Sequence, residues 1–181
     1  MAEQIRVRVP AKVNLALRVG PPDDEGYHAL GTIFQAVSLF DDVTVEATEA
    51  GVFELQITGR GEGELATDDR NLAIKAAKLL ANRYQVTTGV KIKLHKRIPI
   101  AGGMAGGSAD AAGVLLACSV LWDLDTSPDD LVNLAAELGS DVPFAVFGGV
   151  AIGTGRGDRL VPILTRGTLH WVFATSSIGL S

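Results

Sequence analysis

Pro99-Ile100-Ala101-Gly102-Gly103-Met104-Ala105-Gly106-Gly107-Ser108-Ala109-Asp110-Ala111-Ala112 is the stretch on which the fold turns. Just before it, Val90, Ile92 and Leu94 alternate with Lys91, Lys93 and His95, the period-two pattern of a strand with one buried face, and His95 falls on the wet side. Just after it, Ala111, Val114, Leu115, Cys118 and Leu121 recur on one face of a helix predicted over Ser108–Trp122. Four glycines in the six residues from Gly102 to Gly107 therefore join a strand to a helix. Glycine lets backbone amides turn toward a ligand with no Cβ in the way, and a helix start adds free N–H groups and a partial positive charge. The loop is suited to an anion such as phosphate; its plainer reading is a tight strand-to-helix connection. It is neither of two common phosphate loops. Gly107 runs straight into Ser108 with no lysine between, and Met104 stands where a dinucleotide fingerprint needs its second glycine.

Upstream, Leu72, Ala76, Leu79 and Leu80 give an amphipathic helix over Asn71–Tyr84, preceded by a glycine-rich polar loop from Gly59 to Asp69. Ile5–Val9 and Val13–Val19 read as neighbouring strands separated by Pro10-Ala11-Lys12. Pro21 to Gly26 reads as a turn-rich loop delivering Tyr27 and His28. Strand character resumes over Thr32–Phe40, Val43–Ala47 and Phe53–Thr58. Downstream, Ser127, Pro128, Asp129 and Asp130 announce a helix that Gly139 ends near Leu138. Short strands follow around Val150–Ile152, Leu160–Ile163 and Trp171–Thr175. Strands, helix, strand, two helices, then strands form no regular βα alternation. The order predicts one α+β domain over residues 1–181, with helices packed on one face of a mixed sheet.

Composition narrows the function. With 181 residues, 47% of them hydrophobic, the chain can build a core without disulfides or metals. The single cysteine, Cys118, reads as a buried apolar residue, and no internal disulfide can form, which suits a reducing cytoplasm. A net charge of −5 argues against nucleic acid or anionic lipid as a partner, so an anionic ligand must be held by local donors. The N-terminus lacks the layout of a signal peptide and no apolar run reaches membrane-spanning length, so a cytoplasmic location is expected.

The stretch from Pro99 to Ala112 closely resembles the Pro-x-x-x-Gly-Leu-Gly-Ser-Ser-Ala signature of the GHMP small-molecule kinases. Val9-Pro-Ala-Lys-Val-Asn-Leu15, Gly26-Tyr-His28 with Thr32-Ile-Phe34, Arg70-Asn-Leu72 and Leu138-Gly-Ser-Asp-Val-Pro-Phe144 resemble, in the same order, the branch of that family serving non-mevalonate isoprenoid synthesis. The resemblance implies ATP with Mg²⁺ and a small-molecule cytidine diphosphate substrate, phosphorylated on the C2 hydroxyl of its methylerythritol part. It implies that Asp141 takes or orients the hydroxyl proton, and that Lys12 keeps Asp141 ionised and neutralises developing charge. It also implies that Asn14 holds the acceptor region, that Tyr27 and His28 meet cytosine, and that Asn71, Leu72 and Lys96 approach adenine. Pro99, Ala101, Gly102, Gly103, Met104, Ala105, Gly106, Gly107 and Ser108 would embrace the phosphates.

Without the resemblance, Lys12 reads as a lysine beside a turn and Asp141 as a capping or Asx-turn residue. Likewise Ser108 reads as a helix cap and Asp110 as an acid favoured by the helix dipole. Residues ligating Mg²⁺ show no spacing pattern. Family members continue into a second domain lining the substrate cleft, whereas this sequence stops at Ile178-Gly-Leu-Ser181, so ATP binding is expected of it more firmly than catalysis. Two other readings are open: another GHMP kinase, of homoserine or phosphomevalonate type, or a noncatalytic nucleotide- or RNA-binding module, since the family's fold resembles domains of ribosomal and translation proteins.

Overall fold

A computed structural model describes residues 4–22 and 28–174. The elements are β1 (Gln4–Pro22), β2 (His28–Thr48), β3 (Phe53–Gly59), α1 (Leu72–Tyr84), β4 (Gly89–Lys96), α2 (Gly106–Leu121), α3 (Pro128–Leu138), α4 (Val142–Phe147), β5 (Val150–Gly155) and β6 (Arg159–Pro162). The strands form one mixed sheet in which β3 and β4 run parallel and the other pairs antiparallel. This is the α+β arrangement predicted from the element order.

The first strands depart from the sequence reading. Ile5–Val9 and Val13–Val19 are not neighbours but parts of the single strand β1, which pairs with β2 along its length. Thr32–Phe40 and Val43–Ala47 likewise merge into β2. The register slips between Pro10 and Ala11 and again between Asn14 and Ala16. Proline cannot donate to a ladder, so it is accommodated at such an irregularity instead of ending the strand. The opposite edge of β2 is shared, with β4 pairing over Asp42–Thr48 and β5 over Leu30–Gln35. Two branches of the sheet thus diverge from the β1–β2 ribbon, and the slipped register carries Lys12 at the fork.

Alternation sets the layers. Val9, Val43, Val45, Val90, Ile92 and Leu94 are buried beneath the helices. Helix α2 lies across β1 and β2 and packs on α1. It comes close because its residues are small: a Cβ added at Gly113 would lie 2.6 Å from Val43 Cγ2 and 2.8 Å from Val9 Cγ1. Cys118 is fully buried, as its apolar neighbours require, and burial pushes its thiol up to about 12.

Two helix starts are capped as the sequence suggests. Asn71 Oδ1 accepts from Ala73 N–H, and Ser127 forms a capping box with Asp130 ahead of Pro128. Helix α4 goes unread in the sequence because six residues, Val142 to Phe147, are too few to show a period. The strand expected at Trp171–Thr175 is absent from 171–174, where the backbone is irregular; Thr175 lies outside the described residues. Apolar alternation makes a strand only where a sheet edge accepts its hydrogen bonds. Among the described residues, no helix is long and apolar enough to cross a membrane.

On the sheet's outer face three guanidinium groups converge on Asp42. Arg6 Nη2 lies 3.0 Å and Arg97 Nη1 2.8 Å from Oδ2, and Arg8 Nε 3.2 Å from Oδ1. Burial pushes the Asp42 carboxyl up, but the hydrogen bonds from Arg97, Arg8 and Arg6 together outweigh it and hold the group at about 2, below the ordinary 3.8. The ionised form therefore stabilises the fold; this contribution is complete above about pH 4 and disappears as pH falls through about 2. Because the arginines are largely exposed, Asp42→Asn is expected to cost about 1–2 kcal/mol at pH 7. Urea melts should show the gap between variant and parent closing near pH 2, and a gap independent of pH would contradict the assignment.

Candidate active site

The glycine loop is pinned at Met104 and largely open on either side. Met104 inserts its side chain into the core, while Ala101, Gly102, Gly103 and Gly107 are exposed. Ala101 and Ala105 adopt φ of 53° and 57°, and Gly103 67°. Left-handed alanines are uncommon and persist where the surroundings impose them, often at ligand sites. Helix α2 begins at Gly106, two residues before the predicted Ser108, because left-handed Ala105 makes the turn and acts as N-cap without a side-chain bond. Ser108 is thus in the first turn and is not the cap. The first hydrogen bond of the helix runs from Ala109 N–H to Ala105 O at 2.9 Å. The N–H groups of Gly106, Gly107 and Ser108 precede it and belong to the unpaired set that draws anions to a helix start.

A charged cluster lies beside this loop. The Lys12 backbone N–H donates to Met104 O at 3.2 Å, tying the fork of the sheet to the loop. Lys12 Nζ donates to Asn14 Oδ1 at 2.8 Å and lies 3.4 Å from Asp141 Oδ2. Asn14 is held in turn: its Nδ2 donates to Thr32 Oγ1 at 2.7 Å, and Thr32 Oγ1 donates to Ala16 O at 2.9 Å. Below the ammonium is the Phe34 ring, its centroid 5.6 Å from Nζ, which stacks on Phe144 of α4. Asp141 is the N-cap residue of α4 but makes no side-chain cap bond, so its carboxylate faces Lys12 and not its own backbone. The capping role that the sequence offered for Asp141 is not taken. Side-chain exposure is 11% for Lys12 and 32% for Asp141, leaving the carboxylate reachable by a hydroxyl group.

Next to the loop, a cavity of about 320 Å³ is bordered by Asn71 and Leu72 on one side, Lys96 and Pro99 to Ala101 on another, and Gly106, Gly107 and Asp110 of α2. Leu65, Ile98 and Ile100 complete a mostly apolar lining. This size and character suit a small planar ligand. Asn71 spends its side chain on shaping the wall, accepting from Ala73 N–H and donating to Ala66 O.

Behind the cavity is a buried ion group that sequence reading did not assemble. Lys96 Nζ donates to Asp41 Oδ2 at 2.7 Å and to Asp110 Oδ2 at 2.5 Å, and all three residues are at most 4% exposed. Asp41 also accepts from the backbone N–H groups of Arg97 and Ile98. Burial raises the Asp110 carboxyl to about 7, with Asp41 adding to the rise and Lys96 opposing it. For Lys96, burial works downward, but Asp110 and Asp41 outweigh it and raise the ammonium above the ordinary lysine value. The signal for this group was Asp41 in a strand of inward-facing valines, where a carboxylate needs a cation.

Of the two residues expected at cytosine, only His28 is described. Tyr27 lies outside the described residues. His28 is exposed, and its Nδ1–H donates to Gly20 O at 2.7 Å. It sits four residues along β2 from Thr32, roughly 13 Å at strand spacing. Among the described residues no group of three or more His, Cys, Asp or Glu could hold a metal ion.

Residues 71–149 match the family described as GHMP kinases N terminal domain. The 4-diphosphocytidyl-2-C-methyl-D-erythritol kinase of Mycolicibacterium vanbaalenii is 56% identical over 177 residues, which are 98% of this chain and 54% of that protein. A crystal structure of 4-(cytidine 5'-diphospho)-2C-methyl-D-erythritol kinase matches with a TM-score of 0.70 and 41% identity, covering 88% of this chain and 55% of that one. Homoserine kinase from Cytophaga hutchinsonii has a TM-score of 0.68 at 19% identity, over 84% of this chain and 49% of that one, a likeness of fold alone. The chain spans about half the length of the curated relatives it matches.

Proposed function

Because this chain belongs to the GHMP kinases and carries their N-terminal domain, we propose that it is the nucleotide-binding part of a kinase that transfers the γ-phosphoryl group of MgATP to the C2 hydroxyl of 4-diphosphocytidyl-2-C-methyl-D-erythritol. The observation that carries this reading is the Lys12–Asn14–Asp141 cluster, joined to the glycine loop by the bond from Lys12 N–H to Met104 O.

The amides of the loop and of the first turn of α2 cradle the phosphates, and the adenine occupies the apolar cavity. The C2 hydroxyl docks against Asp141, which accepts its proton as the oxygen bonds to the γ-phosphorus and the bond from that phosphorus to the β,γ-bridging oxygen breaks, releasing ADP. Lys12 meets the charge spreading over the transferring group, since such reactions depend mainly on alignment and charge stabilisation. Asn14 acts through Lys12 as a positioning residue, with its oxygen on the ammonium and its amide fixed by Thr32. His28 and Tyr27 serve the cytosine end.

Isothermal titration tests this. ATP should bind the 181-residue chain. In a protein of full family length containing it, cytidine diphosphate compounds should bind as well. ATP binding without cytidine diphosphate binding at full length would move the acceptor to another GHMP type, and salt-sensitive RNA binding with no nucleotide binding would overturn the kinase reading.

A further inference from the structure

The Lys12 ammonium is held by few partners. Its side chain is 11% exposed, so most of its hydration is gone, and an ammonium has three N–H groups to satisfy. Among the described residues it donates one of them, to Asn14 Oδ1 at 2.8 Å, while Asp141 Oδ2 stands off at 3.4 Å. It also sits over the Phe34 ring, 5.6 Å from the centroid. The negative face of an aromatic ring attracts a cation at this range without taking a proton from it or committing one of its N–H groups. The ring itself is fixed. Phe34 is 2% exposed, stacks on Phe144 with centroids 4.8 Å apart, and lies so close to the backbone of β5 that a Cβ added at Gly153 would be 2.7 Å from Cε2. Phe144 belongs to α4, whose N-cap position is Asp141, so one aromatic stack joins the strand beneath Lys12 to the helix that carries its charged partner.

We propose that Phe34 is a positioning residue for phosphoryl transfer: its ring face stabilises the Lys12 ammonium and fixes its place beside Asp141, leaving the remaining N–H groups to the oxygens of the transferring group. The inference rests on the reading of Lys12 and Asp141 as the pair that serves the acceptor hydroxyl. A second carboxylate or a carbonyl beneath the ammonium would stabilise it as well, but would occupy the donors that the reaction needs. An aliphatic side chain there would leave those donors free and the charge poorly solvated. An aromatic face avoids both.

Electron withdrawal separates this role from simple packing. Fluorine draws density off the ring face and weakens its hold on a cation, while stacking against Phe144 is not weakened. In a protein of full family length containing this chain, Phe34→3-fluorophenylalanine, Phe34→3,5-difluorophenylalanine and Phe34→3,4,5-trifluorophenylalanine should lower kcat stepwise, the last by at least about fivefold. Phe34→Leu should lose at least as much. ATP affinity, measured by calorimetry on the same preparations, should stay within about threefold of the parent throughout, because the cavity proposed for adenine does not include Phe34. A kcat that is flat across the fluorinated series overturns the role of Phe34 and leaves the kinase reading standing, whatever Phe34→Leu does, since that variant alone could act by misfolding. Losses of kcat and ATP affinity in equal measure overturn it too, as the mark of a general disturbance. If the parent protein transfers no phosphoryl group to a cytidine diphosphate acceptor, the proposed function fails and this inference with it.

Discussion

In an enzyme of full family length containing this chain, Asp141→Asn is expected to lower kcat by at least about a hundredfold while ATP affinity changes less than about threefold. The change keeps size and removes the negative charge, so the group can still touch the acceptor hydroxyl but has no basic oxygen for its proton. Folding should be little affected, because the Asp141 side chain caps nothing and its ion pair with Lys12, at 3.4 Å, is partly open to solvent. The cavity proposed for adenine does not include Asp141, which is why ATP affinity should hold. Steady-state kinetics with calorimetry on the same preparation separate these quantities, and turnover within about threefold of the parent would remove Asp141 from the chemistry.

The second large effect concerns Lys96. Lys96→Met is expected to lower unfolding free energy by about 3–5 kcal/mol, the cost of leaving buried carboxylates without their cation. Both Asp41 and Asp110 would lose a hydrogen bond, at 2.7 and 2.5 Å, among residues at most 4% exposed. Methionine fills most of the lysine stem, so lost packing contributes little. The double variant Lys96→Met with Asp41→Asn should recover part of the loss, since it removes a stranded charge. Urea unfolding measures both. A cost below about 1 kcal/mol for the single variant would mean that the ion group does not support the fold.

The two site clusters were unequally legible in the sequence. The loop could be read because glycine spacing and a strand-to-helix junction are local properties, and the α2 start was misplaced by only two residues because a left-handed alanine at 105 has no sequence signature. Lys12 and Asp141 were candidates only through resemblance, since their 3.4 Å contact joins β1 to the start of α4, a helix too short to show a period. Pro10 suggested a break between strands, yet β1 continues, because the hydrogen bonds along β2 and the register slip outweigh one missing donor. The Asp41–Lys96–Asp110 group joins a strand interior, a strand end and a helix. Pairing across 55 and 14 residues is a tertiary fact, and periodicity hints only that an acid sits on a buried face.

The claim beneath all of this is that backbone amides of the glycine loop and the first turn of α2 hold the nucleotide phosphates. An amide chemical-shift titration of the ¹⁵N-labelled chain with a nonhydrolysable ATP analogue and Mg²⁺ addresses it residue by residue. The largest shifts should fall on residues 102–108, with smaller ones at Lys12 and around the cavity at Leu72, Lys96 and Asp110. Unmoved amides from 102 to 108 while another surface responds, or no response at saturating analogue, would contradict it.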